Sequence, residues 1–342
     1  MTDTTQTPLR AAPTLSFVIP CYNEEEVLPV LLPKLKELSA HLVDTGRIAQ
    51  DAEILLVDDG SRDRTWEMIE AARTTHGVTG LRLSRNQGHQ AALMAGLLNA
   101  DADVTVSMDA DLQDDPMVVT QMLDRYREGC EIVFGVRAAR DTDTPFKRIT
   151  ARGYYTVLQK MGVDIIPDHA DFRLMSAKAI KAMDSFKERN LFLRGLVRQL
   201  GFQTAKVTYD RAERVAGESK YPLRKMLALA IEGITSFSIK PLRMIALAGF
   251  LVAGLSLCYA AYSLVVWAMG ATVPGWTSIV LPIYILGGVH MIALGVIGEY
   301  IGKIYMETKA RPRFIVDELT RPMRAVQASP EADDGPIRIA AE

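Results

Sequence analysis

Residues 104–116 read VTVSMDADLQDDP, and this run joins an apolar segment to a cluster of acids. Val104–Met108 is short, apolar and rich in β-branched residues, which predicts a buried strand. Asp109 and Asp111 follow one residue apart, and on an extended chain two such carboxylates point the same way, with Gln113 continuing that side. Oxygen ligands of this kind suit a hard cation such as Mg²⁺ or Mn²⁺. An isolated Asp-x-Asp is commonly a solvated surface pair, but the position at a strand end favours a metal site.

Four more apolar runs of the same kind occur nearby, and stretches with helical spacing separate them. The predicted strands are Leu15–Pro20, Glu53–Val57, Gly80–Leu83 and Ile132–Gly135, and the predicted helices are Glu24–Leu38, Thr65–Thr74, Gln90–Ala100 and Pro116–Glu128. This alternation predicts an α/β, Rossmann-like fold with a mainly parallel sheet. Such sheets bind ligands at the carboxyl ends of their strands. The polar clusters at 20–24, 58–61 and 109–115 are therefore expected along one edge of the sheet.

Two of these strand-end clusters have the chemistry of a nucleotide site. Pro20, Tyr22 and Glu24 follow the first strand, where an aromatic ring can stack on a base and a carboxylate can accept from ribose. Asp59 follows the second strand and is placed for the same kind of contact. Turn and capping chemistry is the alternative for each. The first turn lacks G-x-G-x-x-G, which argues against a dinucleotide-binding domain.

The composition of the 342-residue chain limits the function classes. Its charge nearly balances, with 39 Lys and Arg against 41 Asp and Glu. A nucleic-acid-binding domain normally carries a basic surplus, so we expect no nucleic acid partner. Three scattered cysteines without a C-x-x-C pair argue against a disulfide framework or a structural zinc site. Residues 1–13 are predicted to be a disordered arm, and 14–220 the α/β domain.

The C-terminal part differs in composition from the rest of the chain, because residues 244–298 contain no Lys, Arg, Asp or Glu. We predict two transmembrane helices, 244–269 and 276–298, within a hairpin that occupies 244–304, since each exceeds the roughly 20 residues that cross a bilayer. Basic residues flank both outer ends, so the positive-inside rule predicts a multi-pass protein of the inner (plasma) membrane with a cytosolic α/β domain. A buried core hairpin is the alternative.

The segments beside the hairpin are also interpretable. Residues 221–243 mix apolar and charged side chains, which predicts an amphipathic helix in the membrane interface, with an ordinary soluble helix as the alternative. Residues 305–342 are predicted to be a cytosolic tail that is disordered from about residue 321, where Ala, Pro, Asp and Glu dominate.

Several further charged residues are candidates for phosphate or acceptor contacts. They are Arg137 after the fifth predicted strand, Arg214 and Lys220 in the loop RAERVAGESKYP, the basic run with Lys147, Arg148 and Arg152, and Asp171 in DFRLMS. Arginine offers a bidentate fork to phosphate, and lysine offers a point charge. A solvated basic loop is the alternative for the cations, and a helix N-cap is the alternative for Asp171. For His89, in NQGHQAA, we expect a loop or capping role.

Taken together, the motifs VIPCYNEE, LLVDDGSRDRT, MDADLQDDP, DFRLMS and ERVAGESKYP resemble glycosyltransferase family 2. Within it, the chain is similar to the polyprenyl-phosphate glycosyltransferases: dolichol-phosphate mannose synthases and the bacterial undecaprenyl-phosphate glucosyl- and aminoarabinosyl-transferases. The resemblance runs from about Leu15 to Val316. It implies a GT-A catalytic domain and an inverting, metal-dependent transfer of one sugar. The Q-x-x-R-W motif of processive synthases is absent, which argues against polymer synthesis.

The resemblance also implies roles for individual residues. Pro20, Tyr22, Glu24 and Asp59 match nucleotide contacts; Asp109, Asp111 and Gln113 match the metal and diphosphate site; Arg137, Arg214 and Lys220 match phosphate-binding positions; Asp171 matches a base or acceptor-positioning acid; and Lys147, Arg148 and Arg152 align loosely with the acceptor-phosphate region.

The expected donor is UDP-glucose, with GDP-mannose and UDP-aminoarabinose as alternatives, and the expected acceptor is undecaprenyl phosphate. A place in cell-envelope or lipopolysaccharide synthesis, a homo-oligomer and a separate flippase are further expectations. A catalytically degenerate membrane scaffold, a soluble-acceptor transferase and a nucleotidylyltransferase are the rival interpretations.

Overall fold

A mixed eight-stranded sheet carries the site, and two long apolar helices follow it. The computed structural model describes residues 9–137, 161, 169–189, 193–210, 234–235, 238–270 and 275–322. The strands are β1 Leu15–Cys21, β2 Glu53–Asp58, β3 Thr79–Leu83, β4 Val104–Ser107, β5 Ile132–Arg137, β6 His169–Ser176, β7 Thr204–Tyr209 and β8 Val316–Thr320. The helices are α1 Leu28–Asp44, α2 Thr65–Thr75, α3 His89–Asn99, α4 Val118–Arg127, α5 Ala177–Asp184, α6 Leu193–Gln199, α7 Lys240–Ala268 and α8 Trp276–Thr308.

The strand order is β7-β5-β6-β4-β1-β2-β3-β8. Strands β4, β1, β2 and β3 run parallel, as does the β5–β7 pair, whereas β6 and β8 are antiparallel to their neighbours. The predicted α/β fold with a mainly parallel sheet is therefore confirmed. Because β6 runs against β4, the start of β6 lies beside the end of β4, and this brings a later part of the chain to the acid cluster.

Side chains of the central strands alternate between two apolar layers. On β1, Phe17 and Ile19 belong to the core layer formed with α1, α2 and α4, while Val18 belongs to the layer formed with α3, α5 and α6. Helix α3 lies very close to the sheet at Gly96, where a Cβ would be 2.3 Å from Cγ1 of Val18. The period-two alternation of a strand thus builds two cores around one sheet, and α3 is held firmly against its centre.

The turn after β4 differs from the expected extended segment. The strand ends at Ser107, residues 110–111 form a turn, and Leu112 has a left-handed backbone with φ 54°. The expectation that Asp109, Asp111 and Gln113 continue one face of an extended strand is therefore wrong. The chain turns here, and the side chain of Leu112 is buried in the core.

Other boundaries also differ from the sequence predictions. Helix α1 begins at Leu28, after a turn over residues 25–27, and ends at Asp44. Strands β6 and β7 were not predicted. Nor was β8, which occupies part of the predicted tail and pairs with β3. Its sequence, VDELT, is too short and polar to stand out, and it is a strand because it completes a sheet edge.

The two C-terminal helices are longer than the predicted spans. Helix α7 starts at Lys240 and α8 continues to Thr308, so both include charged residues beyond the uncharged run. By length and composition both can cross a membrane, with mean hydropathy values of 2.1 and 1.5 for their apolar parts. Neither apolar part is buried within the protein.

Candidate active site at the carboxyl edge of the sheet

The loops after β1 and β2 form one wall of the site. Cys21 pairs with Asp58 in the strand register, so the two loops leave the sheet side by side. The amide of Asn23 donates to Ser61 Oγ at 3.0 Å, and the amide of Arg62 donates to Asn23 Oδ1 at 2.9 Å. These reciprocal bonds fix the segment that carries Pro20, Tyr22 and Glu24. Tyr22 is 42% exposed, so its ring is accessible to a ligand.

Asp59 is buried and connects this wall to the loop after β3. Its two carboxylate oxygens accept from the backbone amides of Gln87 and Gly88, at 2.7 and 2.9 Å. Burial raises the pKa of Asp59, and the two amide hydrogen bonds oppose that rise. The carboxylate therefore holds the start of α3 in place. Its nucleotide contact stays a prediction.

Gly60 allows these loops to approach each other, and its replacement is a test. Its φ is 68°, and a Cβ would lie 2.7 Å from the backbone nitrogen of Asn86. Gly46 has a similar φ of 63° but open space around it. We expect Gly46→Ala to cost about 1 kcal/mol, from backbone strain alone, and Gly60→Ala about 3 kcal/mol, because the β3 loop must also move. Thermal melting of both variants measures the difference, and equal losses would contradict the close approach.

Asp109, Asp111 and Gln113 are the candidate metal ligands. The side chain of Asp109 is 36% exposed. Asp111 Oδ1 accepts from the amide of Gln113 at 3.2 Å, and Gln113 Oε1 is buried without a hydrogen-bond partner. Burial raises the pKa of Asp109, and the nearby carboxylates of Asp171, Asp114 and Asp111 raise it further, whereas His89 lowers it.

This donor set fits a hard divalent cation. Within the described ranges no three His, Cys, Asp or Glu side chains converge as a complete metal site. Two carboxylates and an unsatisfied amide oxygen suit Mg²⁺ or Mn²⁺, ions that take their remaining ligands from water and diphosphate oxygens. A cation would also relieve the crowding of negative charge around Asp109.

A second cluster centres on Asp171, beside the candidate metal ligands. The register pairs Ser107, the last residue of β4, with Arg173 of β6. Because the two strands are antiparallel, Asp171 lies beside the part of the chain that follows β4, near Asp109. His89 Nε2, at the start of α3, lies 3.6 Å from Asp109 Oδ1 and 3.4 Å from Asp171 Oδ2. The structure therefore brings together three residues that are far apart in the sequence.

Two arginines complete the cluster. Arg173, which is only 1% exposed, donates from Nη2 to Asp171 Oδ1, and Arg194 of α6 donates from Nη2 to Asp171 Oδ2 at 3.3 Å. Burial raises the pKa of Asp171, but His89, Arg173 and Arg194 together hold that pKa well below its usual range. Asp171 is therefore a stable anion. The N-cap alternative is wrong, because Asp171 lies within β6.

Sequence reasoning missed His89, Arg173 and Arg194 as site residues. His89 lies at the end of the loop that follows β3, so the rule that places ligands at the carboxyl ends of strands also applies to it, although only a loop or capping role was predicted. Arg173 lies in the quoted motif DFRLMS, two residues from Asp171 and on the same side of a strand. Arg194 had no comparable signal.

Arg137 binds Asp114, in the loop that follows β4. Asp114 is buried and accepts from Arg137 Nε and Nη2 at 3.2 and 3.1 Å and from the hydroxyl of Tyr209 at 2.6 Å. These bonds connect the loop after β4 to the ends of β5 and β7. A phosphate contact of Arg137 stays a prediction. Arg214, Lys220, Lys147, Arg148, Arg152 and most of the predicted interfacial helix 221–243 lie outside the described residues.

Comparison with known proteins gives the family. The sequence model described as "Glycosyl transferase family 2" matches residues 16–196, which is the part that contains these loops. The uncharacterized glycosyltransferase YkoT of Bacillus subtilis is 47% identical over 312 residues, 90% of this chain and 92% of its own length. The bactoprenol glucosyl transferase of Shigella phage SfV is 39% identical over 305 residues, 88% of this chain and 97% of its own.

Among solved structures, the glucosyl-3-phosphoglycerate synthase of Mycobacterium tuberculosis in complex with Mn²⁺, UDP-glucose and phosphoglyceric acid is similar. It is 18% identical, with a TM-score of 0.42, over 65% of this chain and 77% of its own. The family match covers more than half of the chain, and the sheet topology is that of the GT-A class. The chain therefore belongs to glycosyl transferase family 2 and is a glycosyltransferase.

Proposed function

We propose that this enzyme transfers one glucosyl residue from UDP-glucose to undecaprenyl phosphate at the cytosolic face of the inner membrane, with inversion and with Mg²⁺ or Mn²⁺. One observation carries the proposal: the likeness to a protein named bactoprenol glucosyl transferase extends over 305 residues. A match of that length on this chain must include most of both apolar helices. The likeness therefore concerns the membrane part as well as the sugar-transfer domain.

The leaving nucleoside diphosphate presents the main chemical problem, because negative charge accumulates on it as the bond to the sugar breaks. A divalent ion held by Asp109, Asp111 and Gln113 would supply positive charge at that position. Electrostatic stabilisation of this kind usually contributes more than proton transfer. Tyr22, Glu24 and Asp59 would orient the nucleoside at the adjoining wall, and Arg137, Arg214 and Lys220 remain candidates for the phosphates.

The acceptor needs no strong base. A phosphate monoester has a second pKa of about 6 and is largely a dianion at pH 7. Asp171 is held as an anion by three basic side chains, so its structure suits orientation of His89 and Arg194 better than proton removal. In an inverting displacement the acceptor oxygen approaches the sugar from the side opposite the diphosphate.

We propose that α7 and α8 attach the enzyme to the membrane. Lys240 and Arg243 lie at the start of α7, and Lys309 and Arg311 follow α8, which the positive-inside rule assigns to the cytosolic side. The hydroxyl of Tyr300, near the end of α8, donates to the carbonyl of Ser238, just before α7. The start of α7 and the C-terminal part of α8, both proposed to be cytosolic, therefore lie beside each other. Two helices are few for moving a glycolipid across the bilayer, so we propose that a separate flippase does this. We also propose that the two helices associate with the helices of other copies of this chain.

A donor screen tests this function directly. Purified full-length enzyme is incubated with undecaprenyl phosphate and Mg²⁺ or Mn²⁺, together with UDP-glucose, GDP-mannose or UDP-aminoarabinose, and the released nucleoside diphosphate is measured. We expect UDP only when UDP-glucose, lipid and metal are all present, and no release in EDTA. The glycolipid should carry a β-linked glucose, measured from its anomeric coupling constant.

Other outcomes of the screen identify the rival functions. Use of GDP-mannose or UDP-aminoarabinose would replace the proposed sugar. Transfer to water-soluble acceptors in preference to the lipid would overturn the acceptor. No nucleoside diphosphate from any donor would indicate a catalytically degenerate scaffold.

A further inference from the structure

We infer that the strap, defined as residues 309–320 between the end of α8 and the end of β8, fixes two active-site loops to the end of α8. Within this unit we assign Glu307, on the last turn of α8, and Arg313, in the strap, as positioning residues for sugar transfer. The inference rests on the proposed function, because it assumes transfer to a lipid beside α8.

One end of the strap contacts the loop that leads into the site from β3. Strand β8 pairs antiparallel with β3, and the amide of Ser84 donates to the carbonyl of Ile315 at 3.0 Å. The residues directly after Ser84 include Gln87 and Gly88, whose amides bind Asp59, and then His89. The strap is therefore attached at the root of the loop that supplies His89.

The last turn of α8 and the first part of the strap contact residues 186 and 189, which precede α6. Both carboxylate oxygens of Glu307 accept from the backbone amide of Arg189, at 3.0 and 2.8 Å. Arg313 donates from Nη2 to the carbonyl of Phe186. A carboxylate on a backbone amide is a charge-assisted hydrogen bond, about twice as strong as a neutral one.

This second contact lies close in sequence to Arg194, which binds Asp171. The start of α6 is also held from the other side, because the amide of Leu193 donates to Oε1 of Gln90 at 3.1 Å. Gln90 is the neighbour of His89. The two loops that supply the cations around Asp171 are therefore connected to each other and, through the strap, to the end of α8.

These contacts connect α8, the helix proposed to face the lipid, to the cluster of charged residues around Asp171. The apolar part of α8 is exposed, so a lipid bilayer would set its position. Glu307 and Arg313 bind Arg189 and Phe186, so the position of α8 affects the position of these two residues. Arg194, which binds Asp171, follows only five residues after Arg189. The nucleotide wall depends on its own hydrogen bonds between Asn23 and Ser61, so loss of Glu307 should disturb transfer to the lipid more than binding of the donor.

The test compares Glu307→Ala, Glu307→Gln and Asp317→Ala in the full-length protein. Asp317→Ala is the matched control, because it removes an exposed carboxylate from the strap, ten residues after Glu307. For Glu307→Ala we expect hydrogen exchange at residues 186–189 to accelerate about tenfold or more. We expect kcat with undecaprenyl phosphate to fall about tenfold, the donor KM to change less than about twofold, and the melting temperature to stay close to that of the wild type. Glu307→Gln, which keeps one acceptor oxygen, should recover most of kcat.

The remaining outcomes separate the two proposals. Faster exchange with an unchanged kcat would overturn the positioning role and leave a purely structural contact. An equal fall of kcat in Asp317→Ala would also overturn it, since loss of any carboxylate in this part of the chain would then suffice. Absence of transfer by the wild-type enzyme would instead overturn the proposed function.

Discussion

Replacement of Asp111 by Asn should reduce kcat for sugar transfer by about a thousandfold or more. The candidate donor set consists of two carboxylates and one amide oxygen, so removal of one charge affects a large part of it. Without the cation, the charge on the leaving diphosphate is uncompensated when the sugar departs. Release of nucleoside diphosphate over a range of Mg²⁺ and Mn²⁺ concentrations measures the loss.

The matched control is Asp115→Asn, four residues further along the same loop. Asp115 is exposed, and its carboxylate accepts from the amide of Met117 at 2.9 Å, which is a local turn contact. It should lose less than about threefold in kcat, because surface changes of this kind cost little. Binding of Mn²⁺ by magnetic resonance gives a second readout that does not need turnover. Wild-type kcat in purified Asp111→Asn would show that Asp111 is not a metal ligand.

Replacement of Asp171 by Asn should destabilise the fold strongly, by about 3–5 kcal/mol, because Arg173 is left charged in the core without its anionic partner. Arg173 is only 1% exposed, so water cannot replace the lost partner. The same change should have a smaller effect on chemistry, since the acceptor phosphate is already ionised at neutral pH. We therefore expect measurable transfer at low temperature, where the variant is still folded.

A double variant separates the two effects. Asp171→Asn combined with Arg173→Met removes the uncompensated charge and fills its volume, so most of the lost stability should return. Thermal melting and kcat at low temperature are measured for the single and double variants. A single variant that melts like the wild type would contradict the buried ion pair, and a stable double variant without any transfer would contradict the small effect on chemistry that we expect.

The central sheet and the location of the site were predictable because both depend on local patterns. The five predicted strands all exist, and the acids at 58–59 and 109–115 lie at their carboxyl ends. The prediction of the local geometry failed at Leu112, where the chain turns. A left-handed leucine is unfavourable by itself, and it occurs here because burial of its side chain compensates for the backbone.

The strap and β8 could not be predicted for a similar reason. VDELT has no strong periodicity, and its hydrogen bonds go to β3, more than 230 residues earlier in the sequence. A strand of this kind is specified by the sheet edge that receives it. The role of Glu307 could not be predicted either, because a carboxylate near a helix end is common in sequences. Only the folded structure shows that it accepts a hydrogen bond from the amide of Arg189.

The sequence by itself determined the alternating α/β order, the acids at the strand ends, the two apolar helices and the glycosyltransferase family. The first three properties follow from spacing and composition, which act between near neighbours in the chain, and the family follows from the resemblance of its motifs. Only the tertiary structure decided that His89 lies between Asp109 and Asp171, close to both carboxylates. It also decided that Arg173 and Arg194 keep Asp171 ionised. The charge state of a buried group depends on the groups that surround it in space. Those groups come from β4, α3, β6 and α6, and only folding of the antiparallel β6 beside β4 brings them together.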